Sequence, residues 1–316
     1  MVVFSLGNGI GIKIGNQTIL LDPKISDFIS FISHAHSDHS PQVIIKKPYC
    51  TQETYELIKI RNPEFEANIV RENEKIEFDG FSVRLISSGH ILGSTQTLIE
   101  TESNSILYTG DFKISKGLTG KKIEIKRADT LILESTYGLP TFVFPSIKEV
   151  RKSIIDWVLE QNDAGLSVMI GGYTVGKSQE VVKLLNKEGI VPSVSSSIRK
   201  YCEIYNSFGS NLEFFEEQKT DFFVVPMHVA VLTKKSRTRK CIVTGWSVIR
   251  DFGVKGFPMS DHCDFNQLLK FVEKVGPERV CCVHGFAKEL AMEIERRLGI
   301  KATALQKNEQ KQITDF

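Results

Sequence analysis

The apolar positions in the first third of the chain come in short runs separated by tight turns. Ile10 to Ile14 and Thr18 to Leu21 flank Gly15-Asn16-Gln17, the pattern of a β-hairpin. Phe28 to Ile32 predicts a short strand that ends at Ser33-His34, and Thr51 caps a predicted helix reaching about Ile60. Lys75 to Phe78, Ser82 to Ile86, Thr95 to Ile99, Ser105 to Tyr108 and Thr130 to Leu133 read as further strands. After Glu134 the period becomes helical. Ser146-x-x-Glu149 forms a capping box, and Ile147, Val150, Ile154, Trp157 and Val158 make one apolar stripe. Ser167 to Ile170 predicts a strand, Gly176 to Leu185 a helix, and about Ser197 to Ser207 a second helix. Phe222 to Val225 and Cys241 to Val243 are two more strands. Asp264 caps a helix with the apolar face Phe265, Leu268, Leu269 and Val272. A strand, Val280 to Val283, and a helix, about Lys288 to Leu298, complete the pattern. This order predicts an α/β domain of two or four layers, with an insert from roughly 139 to 245.

Composition narrows the class without fixing the function. In 316 residues, 41% hydrophobic and 25% charged content is ordinary for a globular chain and excludes global disorder, collagen and coiled coil. Forty basic against 38 acidic residues gives a net charge of +2, so only the local placement of charge bears on a nucleic-acid partner. No apolar run approaches the roughly 18 residues of a membrane span, and the first residues lack a basic secretory n-region. The expectation is a cytoplasmic protein with no membrane partner. Six scattered cysteines form no CxxC, which fits reduced thiols. Adjacent Cys281 and Cys282 suit the two faces of a strand.

The chemistry is concentrated in the histidines. Three of the seven stand in His34-Ala35-His36-Ser37-Asp38-His39, directly after an apolar strand. Imidazoles and a carboxylate are ligands that suit zinc, and alternation within the loop can divide them between two ions. His90, in Ser88-Gly89-His90, and Asp111, in Thr109-Gly110-Asp111, each follow another predicted strand. A carboxylate between two cations can bridge them.

The order His-x-His-x-Asp-His, Gly-His, Gly-Asp resembles the metal site of the metallo-β-lactamase fold. Asp22, in Leu20-Leu21-Asp22-Pro23, matches that family's early aspartate, which orients a ligand. Leu133-Glu134-Ser135-Thr136, Ser260-Asp261-His262 and Val283-His284-Gly285 resemble motifs A, B and C of its β-CASP nuclease branch. The resemblance implies a four-layer αββα fold, formed by residues 1–138 and 246–316, with a shortened β-CASP α/β cap inserted at 139–245. It implies one metal on His34, His36 and His90, another on Asp38, His39 and His284, and Asp111 bridging. The metals would be two zinc ions, with manganese as a substitute. His262 would protonate the leaving oxygen, oriented by Glu134, and Asp38 would share in catalysis. Nuclease activity follows from the resemblance, with single-stranded RNA favoured because motif C is a histidine. A homodimer or a partner nuclease subunit is the assembly this allows. The short insert also resembles exonucleases associated with bacterial DNA ligases, which implies a DNA-end substrate instead. A thiolesterase or lactonase of the same fold, or a non-catalytic RNA-binding subunit, are the remaining alternatives. Asp261 departs from the family pattern, where a small residue is common. His228 matches no motif and reads as structural.

Two further stretches carry candidate substrate contacts. Gly171-Gly172-Tyr173-Thr174-Val175-Gly176-Lys177-Ser178 satisfies the P-loop pattern between a strand and a helix. No following strand ends in the aspartate that a nucleotide-hydrolysing site needs, so Lys177 is expected to face substrate phosphate or solvent. Lys234, Lys235 and Arg237 belong to a dense basic run and are candidates for contacting a nucleic-acid backbone.

Overall fold

Alternating apolar positions in the first part of the chain, joined by three strands from its C-terminal end, build two seven-stranded sheets. The computed structural model describes residues 2–5, 8–216, 219–305 and 310–312. One sheet runs Gln310–Gln312, Val2–Ser5, Ile10–Ile14, Gln17–Leu21, Ile29–Phe31, Tyr49–Cys50, Asn68–Ile69. The other runs Lys301–Ala304, Arg279–Val283, Thr130–Glu134, Ser105–Tyr108, Thr95–Glu100, Phe81–Ser87, Lys75–Phe78. The hairpin pairs Ile14 with Gln17, as its turn residues imply.

Strand periodicity sorts the side chains into two cores. Ile12, Ile19 and Phe31 of the first sheet meet Val83, Ile106, Tyr108, Ile132 and Cys281 of the second. Leu107, Leu131, Leu133 and Cys282 point the opposite way, into a core closed by the helices Phe265–Val275 and Ala287–Leu298. Cys281 and Cys282 thus occupy opposite faces of one strand, as their adjacency suggests. Fully burying a side chain such as Leu131 or Phe271 contributes about 1.5–3 kcal/mol relative to exposure. The helix Phe265–Val275 begins at the Asp264 capping box and stops at Gly276 in the left-handed region. The helix Gln52–Lys59 is capped by Thr51 and buries Leu57 and Ile58. The layered α/β architecture is the one expected.

Contacts divide the chain into residues 1–116, 121–140 and 262–316, and a second unit of 117–120 and 141–261. The second unit holds a parallel sheet in the order Ser193–Val194, Phe222–Pro226, Ser167–Gly172, Thr238–Val243, Lys255–Phe257. The helices Ile147–Asp163, Lys177–Asn186, Ser196–Ser207 and Met227–Leu232 pack on it. This unit runs on to Asp261 rather than ending near 245. The reason is the strand Lys255–Phe257, which pairs with Thr238–Val243 and whose Phe257 carbonyl accepts the Thr244 N–H. His228 lies exposed on the short helix Met227–Leu232. No described helix is long and apolar enough to cross a membrane.

Candidate metal centre

The loop after Ile29–Phe31 brings its histidines into the first unit, where the strand-end loops carrying His90 and Asp111 meet it. His34 Nε2 lies 3.0 Å from His36 Nδ1 and 3.4 Å from Asp111 Oδ2. His90 Nε2 lies 3.2 Å from His36 Nδ1 and 3.7 Å from Asp111 Oδ2. In a tetrahedral zinc site with bonds near 2.05 Å the ligand atoms stand about 3.3 Å apart. The spacing of these four atoms fits a single cation. The Ser33 hydroxyl gives its one proton to Asp22 Oδ2 at 2.6 Å, so its oxygen accepts from His34 Nδ1 at 2.9 Å. That hydrogen bond leaves the His34 Nε2 lone pair directed into the cluster.

Asp22 organises the neighbouring histidine in the same way. Its Oδ2 accepts from His39 Nδ1 at 2.8 Å and from the Tyr108 hydroxyl at 2.7 Å, and its Oδ1 accepts from the Ser33 N–H at 2.6 Å. A carboxylate with four donors is a hub, although Asp22, His34 and His39 are close enough together to be a candidate ligand set themselves. With Nδ1 occupied, His39 presents Nε2 to Asp38 Oδ2 at 3.7 Å and Asp111 Oδ1 at 3.6 Å. The His39 and His284 ring centroids are 5.3 Å apart. The two oxygens of Asp111 therefore face different groups. Oδ2 faces His34, His36 and His90, and Oδ1 faces His39. A cavity of about 300 Å³ opens beside Asp38, His39 and His284, with Lys24 in its wall.

A second pair stands next to Asp111. Glu134, fully buried at the end of its strand, accepts from His262 Nδ1 at 3.0 Å and from the Thr136 N–H at 2.8 Å. This fixes the His262 tautomer and aims Nε2 at Asp111 Oδ2, 3.9 Å away. Backbone geometry holds both loops close. His284 has a φ of 62°, and a Cβ on the following Gly285 would stand 2.3 Å from the Ser135 carbonyl oxygen, so only glycine fits there. At Gly110 (φ 52°) a Cβ would meet the Ser33 side chain at 2.6 Å.

The electrostatics follow from burial among like and unlike charges. Burial and the neighbouring His39 hold His34 well below the usual imidazole range, so it is neutral and able to bind a metal. Burial alone would lower the His39 pKa, but Asp111 and Asp22 outweigh it and raise it to about 10. Burial opposes ionisation of Asp111, yet His39, His262, His34 and His90 hold it well below the ordinary carboxylate range. A site that keeps one carboxylate ionised among four imidazoles is arranged for cations. The donor set, three imidazoles and a carboxylate beside a second carboxylate–imidazole group, fits zinc.

The structure brings together His34, His36, His39, His90, Asp111, Glu134 and His262, with Asp38, His284 and Asp22 alongside. It corrects the expectation for Lys177. That side chain is 2% exposed, and its Nζ lies 2.9 Å from Asp261 Oδ1. It faces neither solvent nor an open phosphate site, because the turn after Gly172 folds it inward. The Ser178 hydroxyl donates to the Tyr173 carbonyl at 2.8 Å, and the Gly176 N–H donates to Gln179 Oε1 at 2.7 Å. These are groups a P-loop would give to phosphate and magnesium. Lys234, Lys235 and Arg237 are exposed. They precede Thr238, which pairs with Ser167, so they sit at the opposite end of the parallel sheet from Gly172 and Lys177. Lys235 lies over the Phe223 ring at 5.8 Å. Three supporting residues carry no motif in the sequence. Ser33 stands beside His34, a candidate ligand, which is a usable signal. Tyr108 and Arg61 act from a distance, Arg61 by donating to the Ala35 carbonyl at 2.5 Å and to Ser40.

Comparison with known proteins agrees with this geometry. Residues 251–305 match the family described as Zn-dependent metallo-hydrolase RNA specificity domain. A protein of Opitutus terrae named "Probable DNA ligase" is 33% identical over 93% of this chain and 30% of its own length. An "RNase J-like protein" of Methanocaldococcus jannaschii is 31% identical over 52% of this chain and 45% of its own. The chain thus spans less than half the length of either relative. A crystal structure of a protein of unknown function from Enterococcus faecalis superposes with a TM-score of 0.69 at 15% identity, covering 98% of both chains. At that identity the likeness shows the fold alone.

Proposed function

Since the chain belongs to the metallo-β-lactamase-fold nucleases of the β-CASP family, we propose that it is a two-zinc phosphodiesterase that hydrolyses a nucleic-acid strand. The observation that carries this reading is the placing of the two Asp111 oxygens, Oδ2 by His34 and His90 and Oδ1 by His39, with His262 and Glu134 beside them. His34, His36 and His90 would hold one ion, Asp38, His39 and His284 the other, and Asp111 both. Bound there, zinc would lower the pKa of a water towards neutrality and offset charge developing on the phosphate. His262 gives the proton from Nε2 to the leaving oxygen. Glu134, bonded to Nδ1, stabilises the imidazolium before that transfer. A small-molecule thiolesterase or lactonase has no use for that acid–carboxylate pair.

The strand is read first as single-stranded RNA. Support comes from the RNA specificity family matched over 251–305 and from His284 within it. A DNA-end substrate is the second reading. It is favoured by the Opitutus terrae relative, whose likeness extends over nearly the whole of this chain rather than half of it. Matched RNA and DNA oligonucleotides, single- and double-stranded, test both readings with the zinc-loaded protein. Faster cleavage of single-stranded RNA is the expected result, and faster digestion of DNA moves the protein to the second reading. Thioester or lactone turnover with no cleavage in any of the four arms would refute the phosphodiesterase reading.

A further inference from the structure

The segment Gly171–Ser178 matches a phosphate-loop pattern, yet its lysine and serine are committed within the protein. Lys177 opens the helix Lys177–Asn186 and pairs with Asp261, which is itself 6% exposed. One turn later Glu180, 5% exposed, accepts from the Leu118 N–H at 2.6 Å and from the Thr119 N–H and hydroxyl at 2.8 Å each. Arg151 lies against its other oxygen at 3.3 Å. Leu118 and Thr119 belong to the chain segment after Asp111, in which residues 109–129 form no helix or strand. Asp261 is the residue immediately before His262.

We propose that Lys177 is a positioning residue: through Asp261 it fixes the backbone that presents His262, while Glu180 secures the same helical turn to the segment that follows Asp111. The inference rests on the phosphodiesterase reading for its kinetic consequence, though not for its structural one. His262 is then held twice. Glu134 holds its ring through Nδ1, and the Lys177–Asp261 pair holds its backbone one residue upstream. A buried ion pair is poor support for stability, because an apolar pair of similar volume usually serves as well or better. What such a pair supplies is a fixed geometry between two groups. At a site where Nε2 must meet a leaving oxygen, a displacement near 1 Å costs up to about 100-fold in rate.

The test uses the whole 316-residue chain, zinc-loaded, and an oligonucleotide substrate, whose sugar alkoxide leaving group needs a proton. The double variant Lys177→Met/Asp261→Ala removes both charges, so no unpaired charge is left buried. It is expected to keep its zinc and fold. Its kcat should fall about 10–100-fold with KM within about twofold of wild type. The downfield proton resonance of His262 Nδ1–H, assigned by its loss in His262→Ala, should shift. Lys177→Arg, which keeps the pair, should restore most of the rate. Asp261→Glu keeps the charge and lengthens the link by one methylene, and it should show the same loss and the same shift if the double variant does not fold. Wild-type kcat and an unmoved resonance in the double variant or in Asp261→Glu would overturn the inference. A wild-type protein that cleaves no phosphodiester, with the resonance still shifted in the variants, would sink the functional reading and leave the positioning role supported.

Discussion

Replacing Asp22 by Asn tests whether the hub carboxylate sets the metal affinity. The change is isosteric, so it alters hydrogen bonding and charge while leaving volume unchanged. Oδ2 receives three donors, from Ser33, His39 and Tyr108, and Oδ1 receives the Ser33 N–H. The better orientation of the amide keeps its oxygen at the three-donor position. Its NH2 group then faces the Ser33 N–H, donor against donor, and His39 and His34 lose the negative charge behind them. Losing a hydrogen bond to a charged group costs about 1.5–3 kcal/mol. Removing the partner of a ligand histidine costs about 10–100-fold in metal affinity, which at about 1.4 kcal/mol per tenfold is the same range. Zinc affinity, measured by competition with a chromophoric chelator, should therefore weaken by about one to two orders of magnitude in a folded protein. Affinity within threefold of wild type, with the variant folded, would refute the assignment of Asp22 as the group that orients His39 and, through Ser33, His34.

The other expectations follow from the same geometry. His262→Ala should keep its zinc and slow cleavage about 10²–10⁴-fold, whereas His284→Ala should lower zinc content; an exchange of these two phenotypes would reverse the roles given to the residues. In the metal-free protein the His39 pKa is raised to about 10, so its stabilising contribution is complete below the ordinary value of 6.5 and is lost as pH rises through about 10. Asp111 is depressed, so its contribution is present above its ordinary value of 3.8 and lost as pH falls through its lower folded value. Urea denaturation of metal-free protein should show stability falling from pH 7 to 10, and a rise over that interval would contradict the pairing. ATP turnover should stay at background in wild type and in Lys177→Ala alike; ATPase activity lost in that variant would return the Gly171–Ser178 segment to nucleotide chemistry.

What could be read from the chain depended on how local the signal was. The Asp264 cap, the Gly15-Asn16-Gln17 turn and the alternation at Cys281 and Cys282 each follow from a few adjacent residues. The clustering of histidines was legible because three lie within one loop and His90 and His284 follow strands. The strands Ser193–Val194 and Lys255–Phe257 were missed, since two or three residues, one of them Gly256, give no period to read. That second strand is what carries the second unit on to Asp261. The burial of Lys177 is invisible in the sequence for a different reason. Its partner Asp261 lies far along the chain, and a buried ion pair between distant residues leaves no mark in either local pattern. Tyr108 read only as a strand residue, because its hydroxyl reaches Asp22 across the gap between the two sheets.

Zinc stoichiometry followed together with turnover tests the central claim most directly. Zinc is titrated into metal-free protein while cleavage of a single-stranded oligonucleotide is recorded at each addition. With Asp111 shared between two histidine groups, two equivalents should bind per chain and turnover should appear with the second. Full activity at one equivalent, or two bound equivalents with no cleavage of any oligonucleotide, would contradict a two-metal phosphodiesterase.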